Sequence, residues 1–223
     1  MATLIERPRR ASRLRILIAD DHDLMRRGIK SILESHEDWK ICGEAKTGYQ
    51  AVALTKELVP DIVILDISMP DLNGLEAARK IRKESANTKV LILSVHYSDQ
   101  LIREVVDAGG DGYMLKSDPE HDLVVAVETL AEHKSFFTHR AKVILKDGPV
   151  TQIPMPLHTR LTSREREILQ LLAEGKSCKQ AASYLGICFK TADTHRSNMM
   201  AKLKMHNVSE LVLYAVRNQI IEP

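Results

Sequence analysis

Four short apolar runs each stop at a residue able to take part in phosphoryl transfer. Asp20-Asp21 follows Leu14–Ala19, Asp66 follows residues 62–65, Ser94 follows 90–93, and Lys116 follows 113–115. If these runs are strands of one parallel sheet, their carboxyl ends share an edge, and the crevice there is where open α/β sheets bind ligands. Three carboxylates, a hydroxyl and an ammonium would then converge. Crowded carboxylates resist joint ionisation unless a cation sits among them, and a hard divalent ion such as Mg²⁺ takes oxygen ligands of this kind. Each acid taken alone has a plainer reading: Asp20-Asp21 as a polar loop, Asp66 as a helix cap or turn former. Their order along the chain favours the joint site.

The elements that must position these residues are legible in the hydrophobic pattern. Apolar runs at 14–19, 39–45, 62–65, 90–93 and 112–115 are short and rich in Ile, Val and Leu, and the stretches between them carry helical spacing, as at Leu24, Ile29, Ile32 and Leu33. Five βα repeats specify an α/β doubly wound parallel five-stranded sheet with helices on both faces, because parallel strands need crossover connections. After Asp66, the run Ser68, Met69, Pro70, Asp71, Asn73, Gly74 reads as a tight loop holding the carboxylate at a strand mouth.

The expected organisation is a basic disordered arm at 1–13, an α/β domain at 14–132, a linker at 133–157 and a small all-α four-helix domain at 158–223. Gly148, Pro149, Pro154 and Pro156 mark the linker, with a short helix suggested at 141–145. Beyond it, Thr162-Ser163-Arg164-Glu165 and Ser177-Cys178-Lys179-Gln180 are capping boxes. The first opens a helix with Ile168, Leu169, Leu171 and Leu172 as its buried stripe, ending at Gly175; the second opens a helix ending at Gly186. A third helix runs from about Lys190 to Leu203 and a fourth from Ser209 to about Asn218, the second and third forming a helix-turn-helix.

Charge divides the chain in the same way. Residues 16–154 carry 17 Lys/Arg against 23 Asp/Glu, whereas 155–223 carry 10 against 6, which makes the C-terminal part the candidate for a polyanionic partner. Cys42, Cys178 and Cys188 form no Cys-x-x-Cys pair, so neither a disulfide framework nor a zinc signature is present, and a reducing compartment is expected. No apolar run reaches the length of a membrane span. The expectation is a cytoplasmic protein without membrane contact.

Residues 14–132 resemble a response-regulator receiver domain, with a flavodoxin-like fold, the phosphoacceptor half of bacterial two-component signalling. The matching motifs are Ala19-Asp20-Asp21-His22, Asp66-Ile67-Ser68-Met69-Pro70-Asp71-Leu72-Asn73-Gly74, Ser94 and Gly112-Tyr113-Met114-Leu115-Lys116. The resemblance implies that Asp66 accepts the phosphoryl group from a sensor histidine kinase. It further implies that Asp21, Asp66 and the Ser68 carbonyl ligate Mg²⁺ directly, with Asp20 acting through water. Lys116 and Ser94 would bind phosphoryl oxygens, and Ser94 and Tyr113 would form the switch, Tyr113 turning inward when the anion is present. Ser68 and His96, each two residues beyond a site residue, are expected to flank the path of the hydrolytic water and so set the lifetime of the phosphoryl bond. Apart from this self-phosphorylation and self-dephosphorylation, no enzyme activity is expected.

From residue 158 onward the chain is similar to the LuxR-type DNA-binding domain, which places the whole in the NarL/FixJ subfamily. The residues that carry this are 161–169, 172–177, 185–187, Lys190-Thr191 and Thr194-His195-Arg196-Ser197-Asn198. The resemblance implies that the third helix enters the major groove of double-stranded DNA. Thr194, Ser197 and Asn198 would read bases; Lys179, Lys190, Arg196 and Lys202 would meet phosphates; Thr191 and His195 belong to the same surface. Cys188 stands where a Ser or Thr usually caps this helix, a change worth about 1 kcal/mol. Phe189 and Ala192 also depart from the pattern, and Asp193 would repel phosphate. Before phosphorylation the receiver is expected to cover the recognition helix; afterwards it would release it and favour a homodimer through Leu211, Leu213, Tyr214 and Val216, residues that could equally be core. Two other classes remain: an adaptor that never touches DNA, and a metal-dependent phosphohydrolase, which lacks support because no second Asp stands two residues after Asp66.

Overall fold

The computed structural model describes residues 13–137, 161–218 and 220–221. Most of the expected arm and linker, including the helix suggested at 141–145, lies outside the described residues. The N-terminal part alternates strictly: β1 Leu14–Ala19, α1 Asp23–Glu34, β2 Trp39–Ala45, α2 Gly48–Leu58, β3 Ile62–Asp66, α3 Gly74–Glu84, β4 Lys89–Ser94, α4 Asp99–Asp107, β5 Gly112–Leu115 and α5 Glu120–Ala131. The five parallel strands stand in the order β2-β1-β3-β4-β5. β3 is buried along its whole length, as expected of a central parallel strand covered on both faces.

Register sets the functional edge. Ala19 pairs with Leu65, Asp66 with Leu93 and Ser94 with Leu115, so the carboxyl ends of β1, β3, β4 and β5 finish level. Successive strand residues point to opposite faces. Leu17, Val63, Leu65, Val90 and Ile92 therefore pack with α2, α3 and α4 side chains such as Ala51, Ala77, Ile81 and Ile102. Ile16, Ile18, Ile62, Ile64 and Leu91 pack on the other face with Ile29 and Leu33 of α1 and Leu123, Val127 and Leu130 of α5. Leu24 departs from the helical-spacing reading: it is 86% exposed at the start of α1 rather than in the core.

The second unit comprises α6 Ser163–Ala173, α7 Cys178–Tyr184, α8 Phe189–Leu203 and α9 Val208–Arg217. Both capping boxes form, Thr162 with Glu165 and Ser177 with Gln180. Ile168, Leu169, Leu171 and Leu172 are buried as their spacing requires, against Ala181, Ala192, Met199, Leu203 and Leu211. Among the described residues no helix is long and apolar enough to cross a membrane.

Two glycines seat the loop after Asp66. A Cβ at Gly74, the first residue of α3, would lie 2.1 Å from the Asp66 carbonyl oxygen, and one at Gly48, the first residue of α2, would lie 2.0 Å from that of Leu72. Both neighbours are backbone, which cannot swing aside. Gly74→Ala is therefore expected to destabilise the fold by about 3 kcal/mol, the upper part of the range for overpacking, and to push Asp66 out of register. Urea unfolding of the variant and the wild type measures the difference.

Candidate functional site

The sheet order reverses between β1 and β3, and the crevice at such a switch point is where this architecture places its ligand. Asp20 follows β1 there and Asp66 ends β3; both are fully buried. Lys116, just past β5, reaches both, its Nζ lying 2.9 Å from Asp20 Oδ2 and 2.9 Å from Asp66 Oδ2. The Lys116 N–H also donates to the Ser94 carbonyl at 2.7 Å, tying the ends of β4 and β5. Donor atoms of Asp20, Asp21, His22 and Asp66 all lie within 4.8 Å of one another. His22, in sequence no more than the last residue of the Ala19–His22 motif, joins the acids here: its Nδ1 sits 3.0 Å from Asp21 Oδ1.

Electrostatics follow from the crowding. Burial and then the charge of Asp20 push Asp66 from 3.8 up to about 6, against the pull of Lys116. Burial raises Asp21 as well, with Asp20 adding to the effect. Burial opposes the charge of Lys116, yet Asp66 and Asp20 outweigh it and hold its pKa above the ordinary value. Asp20 Oδ2, Asp21 Oδ1 and Asp66 Oδ2 are buried with ion-pair partners but no well-angled hydrogen bond. Oxygen donors left this way suit a hard divalent cation, so the pocket is compatible with Mg²⁺.

The expected switch residues meet on one main-chain group. Ser94 Oγ donates to the His96 carbonyl at 3.0 Å and accepts the His96 N–H at 3.0 Å. The Tyr113 hydroxyl donates to the same carbonyl at 2.5 Å. Tyr113 is already turned inward, 1% exposed, so an inward swing awaiting the anion is not what this arrangement shows. The side chain of His96 is exposed and Ser68 is half-buried. Arg26 escaped the sequence reading: it is buried and donates to the Asp20 carbonyl at 2.8 Å, holding the β1–α1 loop while Glu44 and Asp23 balance its charge. Its long-range partner Glu44 gave no local signal.

On the helical unit, Lys190, Thr191, Thr194, Ser197 and Asn198 share an exposed face of α8, and Lys179 is exposed on α7. His195 and Arg196 are half-buried, and Arg196 Nη2 pairs with Asp193 at 2.9 Å, which neutralises the acid expected to repel phosphate. Lys202 departs from its expected role. Its Nζ lies 2.7 Å from buried Glu165, fastening α8 to α6. Burial works against the Glu165 charge, but Lys202 and the Thr162 N–H keep that carboxyl below its ordinary range. Cys188 stands at the N-cap of α8 with no side-chain capping hydrogen bond, its Sγ lying instead 3.0 Å from the Thr191 hydroxyl. Leu211 belongs to the core, Leu213 is 57% exposed, and Tyr214 and Val216 are half-buried.

The expectation that the receiver covers the recognition helix is overturned by the contacts. The β3–α3 loop and α3 meet α6 and the α6–α7 turn, and the major-groove face of α8 stays open. Lys80 pairs with Glu167 at 2.7 Å, and Arg166 pairs with Glu76. Packing follows the apolar and ionic faces of α6, which the sequence pattern assigned to its own domain.

This geometry defines a class: a phosphoacceptor-type α/β domain joined to a helix-turn-helix unit. The family model for the response regulator receiver domain matches residues 16–128, and that for bacterial regulatory proteins of the luxR family matches 159–215. The chain is 34% identical over 209 residues to the response regulator protein VraR of Staphylococcus saprophyticus, covering 94% of this chain and 99% of the relative. Among solved structures, the response regulator ChrA of a heme-sensing two-component system superposes with a TM-score of 0.51 at 31% identity, covering 94% of this chain and 100% of the other. RcsB of Salmonella enterica serovar Typhimurium, at 24% identity, shares the fold with a TM-score of 0.62, over 90% of this chain and 97% of the other. The chain belongs to the two-component response regulators with a receiver and a LuxR-type helix-turn-helix domain, and is a phosphorylation-controlled DNA-binding transcription regulator.

The raised Asp66 pKa fixes a pH dependence. The folded state favours the protonated Asp66 carboxyl, so this group's contribution to stability is greatest at the acid side and is lost as pH rises from about 4 through 6. In metal-free buffer above that window, Asp66→Asn is expected to be more stable than the wild type by on the order of 2 kcal/mol. The difference should narrow on adding Mg²⁺ and vanish near pH 4. Chemical unfolding across this range measures it.

Proposed function

We propose that Asp66 is the phosphoacceptor, with the carboxylates of Asp20, Asp21 and Asp66 and the carbonyl of Ser68 holding Mg²⁺. When bound, that ion would neutralise the charge that spreads over the phosphoryl oxygens during transfer. The ionised Asp66 oxygen attacks the phosphorus of a kinase phosphohistidine, the P–N bond breaks, and the imidazole leaves with the electron pair. Lys116 and Ser94 bind phosphoryl oxygens, Ser94 first giving up its bond to the His96 carbonyl, and Tyr113 already fills the space behind it. Ser68 and His96 flank the path of the hydrolytic water. The chain catalyses only this transfer to itself and the later hydrolysis. The observation that carries the reading is one lysine held 2.9 Å from two fully buried aspartates at the switch point.

A sensor histidine kinase would dock beside this niche, where Leu24 stands 86% exposed near His22. The phosphorylated protein works in the cytoplasm as a homodimer on double-stranded DNA, with Thr194, Ser197 and Asn198 toward base edges. Lys179, Lys190, Thr191 and Arg196 face the backbone, and His195 supports them. Because α8 is already open, phosphorylation acts here by altering how two copies present their helices rather than by uncovering one.

Acetyl phosphate with Mg²⁺ is expected to give one phosphoryl adduct by intact mass on the wild type and none on Asp66→Asn, with duplex affinity rising only for the wild type. An adduct on the variant would refute the assignment. Lys190→Ala should flatten the salt dependence of duplex binding by a slope of about 1. Lys202→Ala should leave the slope nearly unchanged and lower thermal stability, because Glu165 loses its partner; binding measured at several salt concentrations separates the two.

A further inference from the structure

The loop that leaves Asp66 is completed by the other domain. Gln170, on α6 and 1% exposed, donates from Nε2 to the Met69 carbonyl at 2.9 Å and accepts the Asn73 N–H on Oε1 at 2.8 Å. One amide thus bridges both ends of a five-residue bend. Glu174 holds Gln170 in place, accepting from Nε2 at 2.8 Å, and Oε1 of Glu174 also takes the Asp71 N–H at 2.9 Å. Asp71 sits at φ +68°, a conformation rare for a residue with a Cβ, and its carboxylate is held by Lys176 at 2.8 Å and by the Tyr184 hydroxyl. Within the receiver the bend is tied at its root, where Ile67 O accepts the Met69 and Gly74 N–H groups, by Leu72 N–H to Pro70 O, and at its far end, where Asn73 caps α3 by accepting the Glu76 and Ala77 N–H groups. Among the described residues, the Asn73 and Asp71 N–H groups and the Met69 carbonyl find their partners on the helix-turn-helix domain. Buried backbone groups need partners, and here the helix-turn-helix domain supplies them.

We propose that Gln170 is a positioning residue for the chemistry at Asp66, acting through the 69–73 bend to fix the Ser68 peptide. The inference rests on the proposed Mg²⁺ role of the Ser68 carbonyl. A site of this kind tolerates only small displacements of its donors. Coupling is reciprocal: a clamp that tightens ion binding is itself tightened by the ion, so the domain that meets DNA and the site that takes the phosphoryl group each adjust the other.

The test uses full-length protein. Mg²⁺ is titrated calorimetrically into the wild type, Gln170→Ala, Gln170→Met and Lys80→Ala. Gln170→Met keeps the helix and nearly the volume but loses both hydrogen bonds. Lys80→Ala breaks the 2.7 Å pair with Glu167 across the same domain contact without touching the bend. Expected are a rise of about three- to tenfold in the Mg²⁺ Kd for both Gln170 variants, because only part of the two lost hydrogen bonds' worth reaches the ion site, and faster hydrogen exchange at residues 69–73. Slower labelling by acetyl phosphate at low Mg²⁺ should recover at saturating Mg²⁺, while Lys80→Ala stays at the wild-type values. An equal rise in Lys80→Ala, or unchanged Kd and exchange in Gln170→Met, overturns the inference while leaving the phosphoacceptor reading intact. A wild type that neither binds Mg²⁺ nor takes label overturns both.

Discussion

Everything at the functional edge answers to one electrostatic conflict: Asp20 and Asp66 are buried side by side, and neither can shed its charge into water. Lys116 relieves the conflict only in part: the two acids hold its charge firmly, yet one cation shared between them leaves Asp66 above its ordinary range. The sheet bears the cost through its packing. Buried Ile, Val and Leu side chains on both faces of the sheet hold the two acids level, and glycines at 48 and 74 let helix starts press against the intervening loop. A pocket with less scaffold behind it would relax and move the acids apart.

Much of this was legible along the chain. The apolar runs end where strands end, and the chemistry-bearing residues follow them at once, so parallel pairing was enough to bring Asp20, Asp66, Ser94 and Lys116 together. The capping boxes at Thr162 and Ser177 likewise declared their helices through local side-chain chemistry. What stayed hidden was long-range. Leu24 has core spacing but stands in solvent at the start of α1; Lys202 looks like a phosphate contact until Glu165, 37 residues earlier, is seen to claim it. Tyr113 could be assigned to a strand from its pattern, but its rotamer depends on the His96 carbonyl, which no spacing rule locates.

The contact between the domains is of the same hidden kind. Gln170 and Glu174 lie on what reads as an ordinary amphipathic helix, and nothing near them in sequence reveals that they hold a bend about a hundred residues away. Ion pairs of Lys80 with Glu167 and Arg166 with Glu76 extend the seam along α3. Charges buried between two domains are costly to strand, which favours this one relative placement over a sliding surface and leaves the outer face of α8 clear.

The recognition helix is gripped unevenly. Its far end is bolted through Lys202 to a carboxylate that also closes the cap of α6, whereas its leading turn begins at Cys188, whose thiol meets the Thr191 hydroxyl but makes no capping hydrogen bond, with Phe189 out in solvent. On the proposed reading, the portion that enters the groove is thus the portion whose first amides no side chain caps. Part of the enthalpy released on docking is then spent on ordering that turn, and sequences that let it settle gain an advantage beyond their direct contacts.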